Sequence, residues 1–205
     1  MFIKMNHWSY ESYIGSGSTS FVFKGIWKGH PAALKWVKYR EGTLEIKNID
    51  KIKDCWEKNL LLPWYTECGE WFLEDLVPGN INALVRTMKN DTKGPGIVKD
   101  RKHKKHKLRQ PGLKSCLLVF KLVDGDMENV NLNKHNKKDV LDDLRLALNC
   151  LKSKGYHHDD LALRNVFYLK DNGKNIYLLG DFGMLEPYGE YDVDIELGKI
   201  KNKFK

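Results

Sequence analysis

Long apolar runs and closely spaced cysteines are both missing from this sequence. No run of eighteen apolar residues occurs in its 205 residues, so we expect no transmembrane helix. The N-terminal residues Met1 to Asn6 contain no apolar signal core, so we expect no secretion. The cysteines form no Cys-x-x-Cys pair, which predicts reduced thiols in a cytoplasmic or nuclear protein rather than a zinc site or a disulfide framework. The four cysteines are Cys55, Cys68, Cys116 and Cys150.

Positive charge is concentrated in one segment. The whole chain has a formal net charge of +8, whereas residues 86–114 carry +9 from eleven Lys or Arg and two Asp, which leaves −1 for the rest. The densest part, residues 99–109, lies between glycine and proline residues, and such a run is typical of a solvated surface loop. Two alternatives stay open for it: a nuclear-localisation patch and contact with nucleic-acid phosphates. No aromatic residue interleaves the basic ones, so bases would have no stacking platform.

Hydrophobic periodicity marks two helices. With 41% hydrophobic residues, the chain can bury a core as one domain or as two small lobes. Apolar residues recur at helical spacing through residues 43–60 and again from Lys137 to Lys154, which predicts two amphipathic helices. Gly155 is placed to end the second helix.

Polar residues flank a predicted β-hairpin. Two apolar runs within residues 166–179 are separated by the turn Asp171-Asn172-Gly173, a pattern typical of a hairpin. Asp160 and Asn165 precede the first run, and Asp181 follows the second. The hairpin should bring these three oxygen-bearing side chains to one end of its strands, where they would suit Mg²⁺.

These residues resemble a known family. The pattern His158-x-Asp160-Leu161-x-x-x-Asn165, followed by Asp181-Phe182-Gly183, resembles the catalytic loop and the metal-binding motif of the protein kinases. The Asp-Leu-Ala-x-Arg-Asn form is closest to the tyrosine-kinase version of that loop. The resemblance implies that Asp160 is the catalytic base and that Asn165 and Asp181 are magnesium ligands.

The resemblance also implies a fold. It predicts an α+β, bilobal protein-kinase-like domain over residues 1–205, with an N-lobe at about residues 8–123 and a C-lobe at about residues 124–205. The N-lobe would hold an antiparallel sheet with one helix and would carry the basic insertion at about residues 79–115. The C-lobe would be mainly helical.

A glycine-rich stretch comes first along the chain. Small residues let backbone amides approach a phosphate closely, although a simple hairpin turn would look similar. The stretch resembles the kinase Gly-x-Gly-x-x-Gly-x-Val loop, with Ser20 where the third glycine usually stands. The resemblance implies that Gly15, Ser16 and Gly17 cover the phosphates of ATP.

Lys35 interrupts an apolar strand. A lysine in such a strand usually has a charged partner, although an outward-facing residue would give the same pattern. The strand resembles the kinase Val-Ala-Ile-Lys strand, which implies that Lys35 binds the α- and β-phosphates and that Val22 and Ala33 line the adenine site. A glutamate of the helix at residues 43–60 should then pair with Lys35. Glu45 is favoured because it lies on the apolar face, and Glu57 is the alternative.

Two apolar segments compete for the hinge that receives adenine. Residues 117–125 are favoured over residues 71–79, because only they leave a single helix before the catalytic loop. Residues 71–79 would then form the preceding antiparallel strand. The resemblance implies that Phe120 lies behind the adenine and that the backbone from Lys121 to Val123 hydrogen-bonds the base.

The sequence departs from the family near the end of the chain. Asp159 stands where the family usually has arginine, and only 22 residues follow Gly183, which predicts a shortened C-lobe. We therefore expect a protein kinase that uses ATP and Mg²⁺ to phosphorylate a protein substrate. The alternative is a pseudokinase that binds a protein partner and catalyses nothing. Nucleic acid would bind only through residues 99–109, and no membrane association is expected.

Overall fold

The computed structural model describes residues 8–17, 19–71, 113–189 and 192–204. Within these ranges the protein has an α+β fold with antiparallel sheets and three α-helices. The predicted basic insertion lies almost wholly outside the described residues, as does all of residues 99–109. None of the described helices is long and apolar enough to cross a membrane.

The largest sheet has five antiparallel strands in the order β1-β2-β3-β5-β4. The strands are β1 (Trp8–Ser16), β2 (Ser20–Trp27), β3 (His30–Lys38), β4 (Tyr65–Trp71) and β5 (Leu113–Lys121). The favoured hinge segment therefore begins in a strand, as predicted. The preceding strand was predicted over residues 71–79, of which only Trp71 is described, as the last residue given for β4; residues 72–79 lie outside the described residues. Among the described strands, β4 lies at the edge of the sheet, and its mixed polarity gives no apolar run that would reveal it in the sequence.

Successive side chains of β3 point to opposite faces of the sheet and pack into two different hydrophobic cores. Leu34 and Trp36 belong to a cluster on one face of the sheet, together with aromatic residues of β2. Ala33 and Val37 join the larger cluster on the other face, which runs on to the helices and the hairpin. Since Lys35 lies between Ala33 and Val37 with the same period of two, it shares their face.

The first helix, α1 (Tyr39–Ile52), packs on this second face. It begins and ends earlier than the predicted helix at residues 43–60. A 3-10 turn, Lys53–Cys55, follows it, and the chain then reverses at Asn59, whose φ is 58°. The Leu61 amide donates to Leu179 O at 2.8 Å and thereby attaches this segment to the hairpin. The apolar periodicity continues past Ile52, but α1 ends there, and Glu57 lies beyond the helix.

The predicted hairpin is confirmed. Strands β8 (Val166–Asp171) and β9 (Lys174–Leu179) pair across Asn172 and Gly173, whose φ values of 48° and 79° are those of a type I′ turn. The short strand β6 (Gly125–Asp126) extends this sheet. The stretch after the hairpin folds back, since β10 (Leu185–Pro187) pairs with β7 (Tyr156–His158).

Two further helices support the hairpin. The predicted helix is present as α2 (Lys137–Ser153), capped by the Asn136 side chain and followed by Gly155 with φ 80°. Helix α3 (Val193–Lys201) begins after Asp192, whose side chain accepts from the Asp194 amide. Both helices contribute to the larger core, which continues without a break from β5 to α3.

The four cysteines form two disulfides, so the prediction of reduced thiols was wrong. Cys55 is bonded to Cys150, and Cys68 is bonded to Cys116. The partners are 95 and 48 residues apart in sequence, and only the fold brings them together. Disulfides persist in oxidising surroundings, so the thiols no longer support a cytoplasmic or nuclear location, which stays a prediction.

Candidate functional site

Lys35 forms the centre of a three-residue ion cluster. Its Nζ lies 2.8 Å and 2.9 Å from the two carboxylate oxygens of Glu45, and 3.1 Å from Oδ1 of Asp181. The Lys35 and Glu45 side chains are 13% and 4% exposed, whereas the Asp181 side chain is 47% exposed. Residues from β3, α1 and the end of the hairpin thus meet at the Lys35 ammonium group. Of its two partners, Asp181 is the one accessible to solvent.

Lys35 and Glu45 affect each other's pKa values. Burial lowers the pKa of the Lys35 ammonium, but the carboxylates of Glu45 and Asp181 outweigh burial and the net direction is upward. Burial raises the pKa of Glu45, and the charge of Lys35 opposes that rise. Because the ammonium donates to both Glu45 oxygens, we assign Glu45 as a carboxylate paired with Lys35 at neutral pH. Glu57 is exposed and lies beyond α1.

Neighbours on the same sheet face surround Lys35. Val22 is the register partner of Lys35, and Ala33 is the register partner of Phe120. Directly paired residues of an antiparallel sheet share a face, so these four side chains lie on the side of the sheet that faces α1. The predicted adenine residues Val22 and Ala33 are therefore grouped around Lys35, and Phe120 is buried beside them.

The predicted glycine-rich loop is a tight connection between β1 and β2. The Gly17 amide donates to Ser20 O at 2.9 Å, and Gly15 lies opposite Val22. A Cβ on Gly15 would meet no atom within 4 Å, so this glycine borders open space. Neither Gly15 nor Gly17 has a positive φ, so neither uses the left-handed backbone that glycine permits. Ser16 ends β1, and its side chain lies outside the described residues.

The predicted hinge residues begin with the last residue of β5. Lys121 pairs with Ala32 at the end of the strand and is exposed, whereas Val123 is half-buried and packs against the larger core. The chain leaves the five-stranded sheet here and enters β6. The backbone from Lys121 to Val123, which is predicted to bind the base, therefore begins beside Ala32 and Ala33 in the sheet.

Asp160 is held by its own loop. Asn165 Nδ2 donates to Asp160 O at 2.8 Å and to Asp160 Oδ2 at 2.9 Å, and the Arg164 guanidinium donates to Asp160 Oδ1. The Asp160 side chain is 31% exposed, so a substrate could still reach it. Both carboxylate oxygens are engaged, and the group is thereby held in one orientation.

A hydrogen-bonded ladder joins this loop to Asp181. The Gly180 amide donates to Asn165 O at 3.0 Å, and His158 Nε2 donates to Gly180 O at 3.0 Å. Burial lowers the pKa of His158, with the bond to Gly180 opposing this effect, so its imidazole is neutral at pH 7. Asn165 and Asp181 are thus separated by one hydrogen bond and one peptide unit.

The predicted magnesium site has few protein donors. No group of three or more His, Cys, Asp and Glu residues among the described residues could hold a metal ion. The Asp181 carboxylate and the Asn165 amide oxygen are the available donors, since Asn165 Nδ2 is committed to Asp160. Mg²⁺ is commonly bound through one or two protein oxygens together with substrate phosphates and water, so this donor set fits Mg²⁺ arriving with a nucleotide.

Two contacting residues were missed by the sequence reasoning. Arg164 binds Asp160, and Asn48 on α1 donates to Phe182 O at 2.9 Å. Asn48 lies one helical turn after Glu45 and is 2% exposed. A polar residue on the apolar stripe of a helix was the available signal, because such a residue needs a hydrogen-bond partner.

No protein-family model matches the chain, and no curated protein matches it.

Proposed function

We propose that this protein is an ATP-dependent protein kinase, transferring the γ-phosphoryl group of Mg·ATP to a protein hydroxyl. One observation carries the proposal: Lys35 Nζ lies within hydrogen-bond distance of both Glu45 and Asp181. In the protein kinases a strand lysine must pair with a helix glutamate while the aspartate of Asp-Phe-Gly holds magnesium. Here Lys35 is paired with Glu45, ten positions along the chain, and lies 3.1 Å from Asp181, 146 positions along the chain, which supports the proposal.

Lys35 would bind the phosphates of the nucleotide. Glu45 restricts the ammonium group, so that it faces the space beside Asp181 rather than sampling other rotamers. Asp181 and Asn165 would hold Mg²⁺, which neutralises phosphate charge when bound. Positive charge on Lys35 supplies the same kind of stabilisation from the protein side.

The base and the phosphates would occupy the sheet face around Lys35. Val22, Ala33 and Phe120 supply apolar surface there, and the backbone from Lys121 to Val123 would hydrogen-bond the base. Gly15, Ser16 and Gly17 would cover the phosphates, which the open space beside Gly15 supports. In this proposal the chain is a bilobal kinase-like domain, with the five-stranded sheet and α1 as its N-lobe.

Asp160 would receive the proton of the acceptor. The acceptor oxygen would form a bond to the γ-phosphorus. The bond between that phosphorus and the β,γ-bridging oxygen would break, and ADP would depart. The hydroxyl proton passes to Asp160. Asn165 and Arg164 orient the carboxylate through hydrogen bonds, so it does not have to reorganise when the acceptor arrives.

One observation favours a second candidate, a pseudokinase that binds a protein partner. Both oxygens of Asp160 already accept hydrogen bonds, Oδ1 from Arg164 and Oδ2 from Asn165. An acceptor hydroxyl would therefore have to share an oxygen that already accepts from Arg164 or Asn165 before it could pass its proton to Asp160. A permanently engaged Asp160 would therefore give a nucleotide-binding protein with little transfer activity.

Phosphate transfer separates the two candidates. Purified protein is given Mg·ATP labelled in the γ-phosphate, with a generic protein acceptor, and is compared with Asp160→Asn and Lys35→Ala. A kinase should lose ~10²–10⁴-fold in turnover with Asp160→Asn while its nucleotide affinity stays within about twofold. Lys35→Ala should lower both turnover and affinity. Equal, background-level transfer by wild type and Asp160→Asn, with nucleotide still bound, would leave the pseudokinase.

A further inference from the structure

Asn48 is a buried polar residue that joins α1 to the Asp181-Phe182-Gly183 segment. Its Nδ2 donates to Phe182 O at 2.9 Å and approaches Gly183 O at 3.5 Å. Its Oδ1 accepts from Lys51 Nζ at 3.1 Å. The backbone of a segment distant in sequence is thus hydrogen-bonded to the same helix that carries Glu45.

We propose that Asn48 is a positioning residue for Asp181: it holds the Phe182 backbone against α1, so that the Asp181 carboxylate faces Lys35 and the nucleotide phosphates. This inference rests on the proposed nucleotide site. The inference adds Asn48 to the residues of that site. It also couples α1 to Asp181, because a movement of α1 would then affect the proposed magnesium ligand as well as Lys35.

The backbone of Asp181 needs such support. Its φ is 65°, in the left-handed region that a residue with a Cβ adopts only at a cost. Such a conformation persists where the surroundings determine it from several sides. The Phe182 side chain is 1% exposed and packs edge-on against His158 at 5.6 Å, while the Phe182 carbonyl is bonded to Asn48. Side chain and backbone of Phe182 are therefore fixed by different elements.

Lys51 sets the orientation of the Asn48 amide. An ammonium group only donates and a carbonyl oxygen only accepts, so Oδ1 must face Lys51 and Nδ2 must face Phe182 O. The Lys51 Nζ also lies 5.0 Å from the centre of the Tyr156 ring, on the strand that precedes the catalytic loop. A chain of contacts thus runs from β7 through Lys51 and Asn48 to Phe182.

Glu45 and Asn48 give α1 two attachments on one face. Residues three apart on a helix are neighbours, so displacement of α1 would break the ion pair with Lys35 and the bond to Phe182 O together. A residue that only packed α1 onto the core would affect nucleotide binding with and without metal alike. A residue that positions Asp181 should affect mainly the metal-dependent part.

The test measures ADP affinity by calorimetry with Mg²⁺ and with EDTA. The variants are Asn48→Leu, which has a similar volume and no donor, and Asn48→Asp, which can still accept from Lys51 but cannot donate to Phe182 O. Each is also made in the Asp181→Asn background. Circular dichroism and thermal melting report whether each variant is folded, so a failure of Asn48→Leu to fold leaves Asn48→Asp to decide.

We expect both variants to reduce the affinity gained from Mg²⁺ by about tenfold, the usual effect of losing one buried hydrogen bond. Affinity in EDTA should change less than twofold. In the Asp181→Asn background the Asn48 variants should have no further effect, because the ligand through which Asn48 acts is gone. Lys51→Met should show a smaller loss in the same direction. Lys47→Met, which removes an exposed lysine one turn earlier on α1, is the matched control and should show none.

Two results would overturn the inference while leaving the proposed function intact. One is an unchanged Mg²⁺-dependent affinity in folded Asn48 variants. The other is an equal loss with Mg²⁺ and with EDTA that persists beside Asp181→Asn, which would make Asn48 a packing residue only. Wild-type protein that gains no ADP affinity from Mg²⁺ would instead remove the nucleotide site, and this inference with it.

Discussion

Cys55, just beyond the end of α1, is covalently bonded to Cys150 near the end of α2. The bond joins the helix that carries Glu45 to the helix that supports the hairpin. Cys55 is fully buried, within the core that both helices share. The helix that carries Glu45 is thus connected to the helix that supports the hairpin through a covalent bond as well as through packing.

Removing this disulfide should destabilise the protein substantially. Replacing Cys55 and Cys150 together by Ala should lower the free energy of unfolding by ~2–5 kcal/mol, because the bond closes a loop of 95 residues. The Cys68–Cys116 pair closes a loop about half as long, 48 residues, so its Ala pair should cost ~0.6 kcal/mol less on chain entropy alone. Urea unfolding of both variants without reductant measures the difference. Identical midpoints for wild type and both variants would contradict the two bonds.

Mg·ATP should stabilise the wild-type fold. A ligand that binds only the native state adds ~2.7 kcal/mol at a hundred times its Kd, so the melting temperature should rise with nucleotide concentration. Asp181→Asn should remove most of the increment that depends on Mg²⁺ and keep the increment seen in EDTA. Differential scanning fluorimetry measures both. A melting curve that does not move at millimolar Mg·ATP would eliminate the nucleotide site.

Lys35 and Glu45 should be strongly coupled in stability. Lys35→Met leaves the buried Glu45 carboxylate without a cation, so it should cost ~3–5 kcal/mol, whereas Glu45→Leu should cost less because Asp181 still lies 3.1 Å from Lys35 Nζ. The double variant should cost less than the sum of the single variants, because no buried charge is left unpaired and Asp181 is half exposed. Urea unfolding of the four proteins gives the coupling energy. Lys24 and Glu11 form an exposed pair, for which the same cycle should give little coupling.

Stability should fall as the pH drops below the ordinary range of histidine. Burial lowers the pKa of His158 in the folded protein, so the unfolded chain binds a proton at a higher pH than the native state does. The stabilisation is complete above the unfolded pKa of about 6.5 and is lost as the pH falls from there through the lower, folded value. The slope for one proton is at most ~1.4 kcal/mol per pH unit.

His158→Gln isolates this contribution, because glutamine can donate to Gly180 O and does not titrate. Urea unfolding at several pH values between roughly 7 and 5 should give a shallower slope for the variant than for wild type. His135, whose pKa is also lowered, chiefly by burial, is the matched comparison. The contact of His135 with the Tyr177 hydroxyl, at 3.1 Å, is less buried than the contact of His158 with Gly180 O. His135→Gln should therefore flatten the dependence of stability on pH less than His158→Gln does. Parallel profiles for wild type and His158→Gln would contradict the assignment.

Local sequence by itself determined much of this molecule. Asn172 and Gly173 tolerate positive φ, so the hairpin and its register were predictable. Apolar spacing and Gly155 determined α2, and alternation along β3 determined that Lys35 shares a face with Ala33 and Val37. Each of these depends on residues within a few positions of one another, where periodicity and backbone preference act directly.

Tertiary structure decided the rest, since contacts between distant segments leave no local signature. The apolar face of α1 favoured Glu45 over Glu57, but only the folded chain placed the Glu45 carboxylate 2.8 Å from Lys35 Nζ with Asp181 beside it. The partners of the four cysteines depended on which segments came together, and wide spacing in sequence said nothing of distance in space. Asn48 is polar on an apolar stripe, a sign that a partner was needed, but only the folded chain supplied the Phe182 carbonyl.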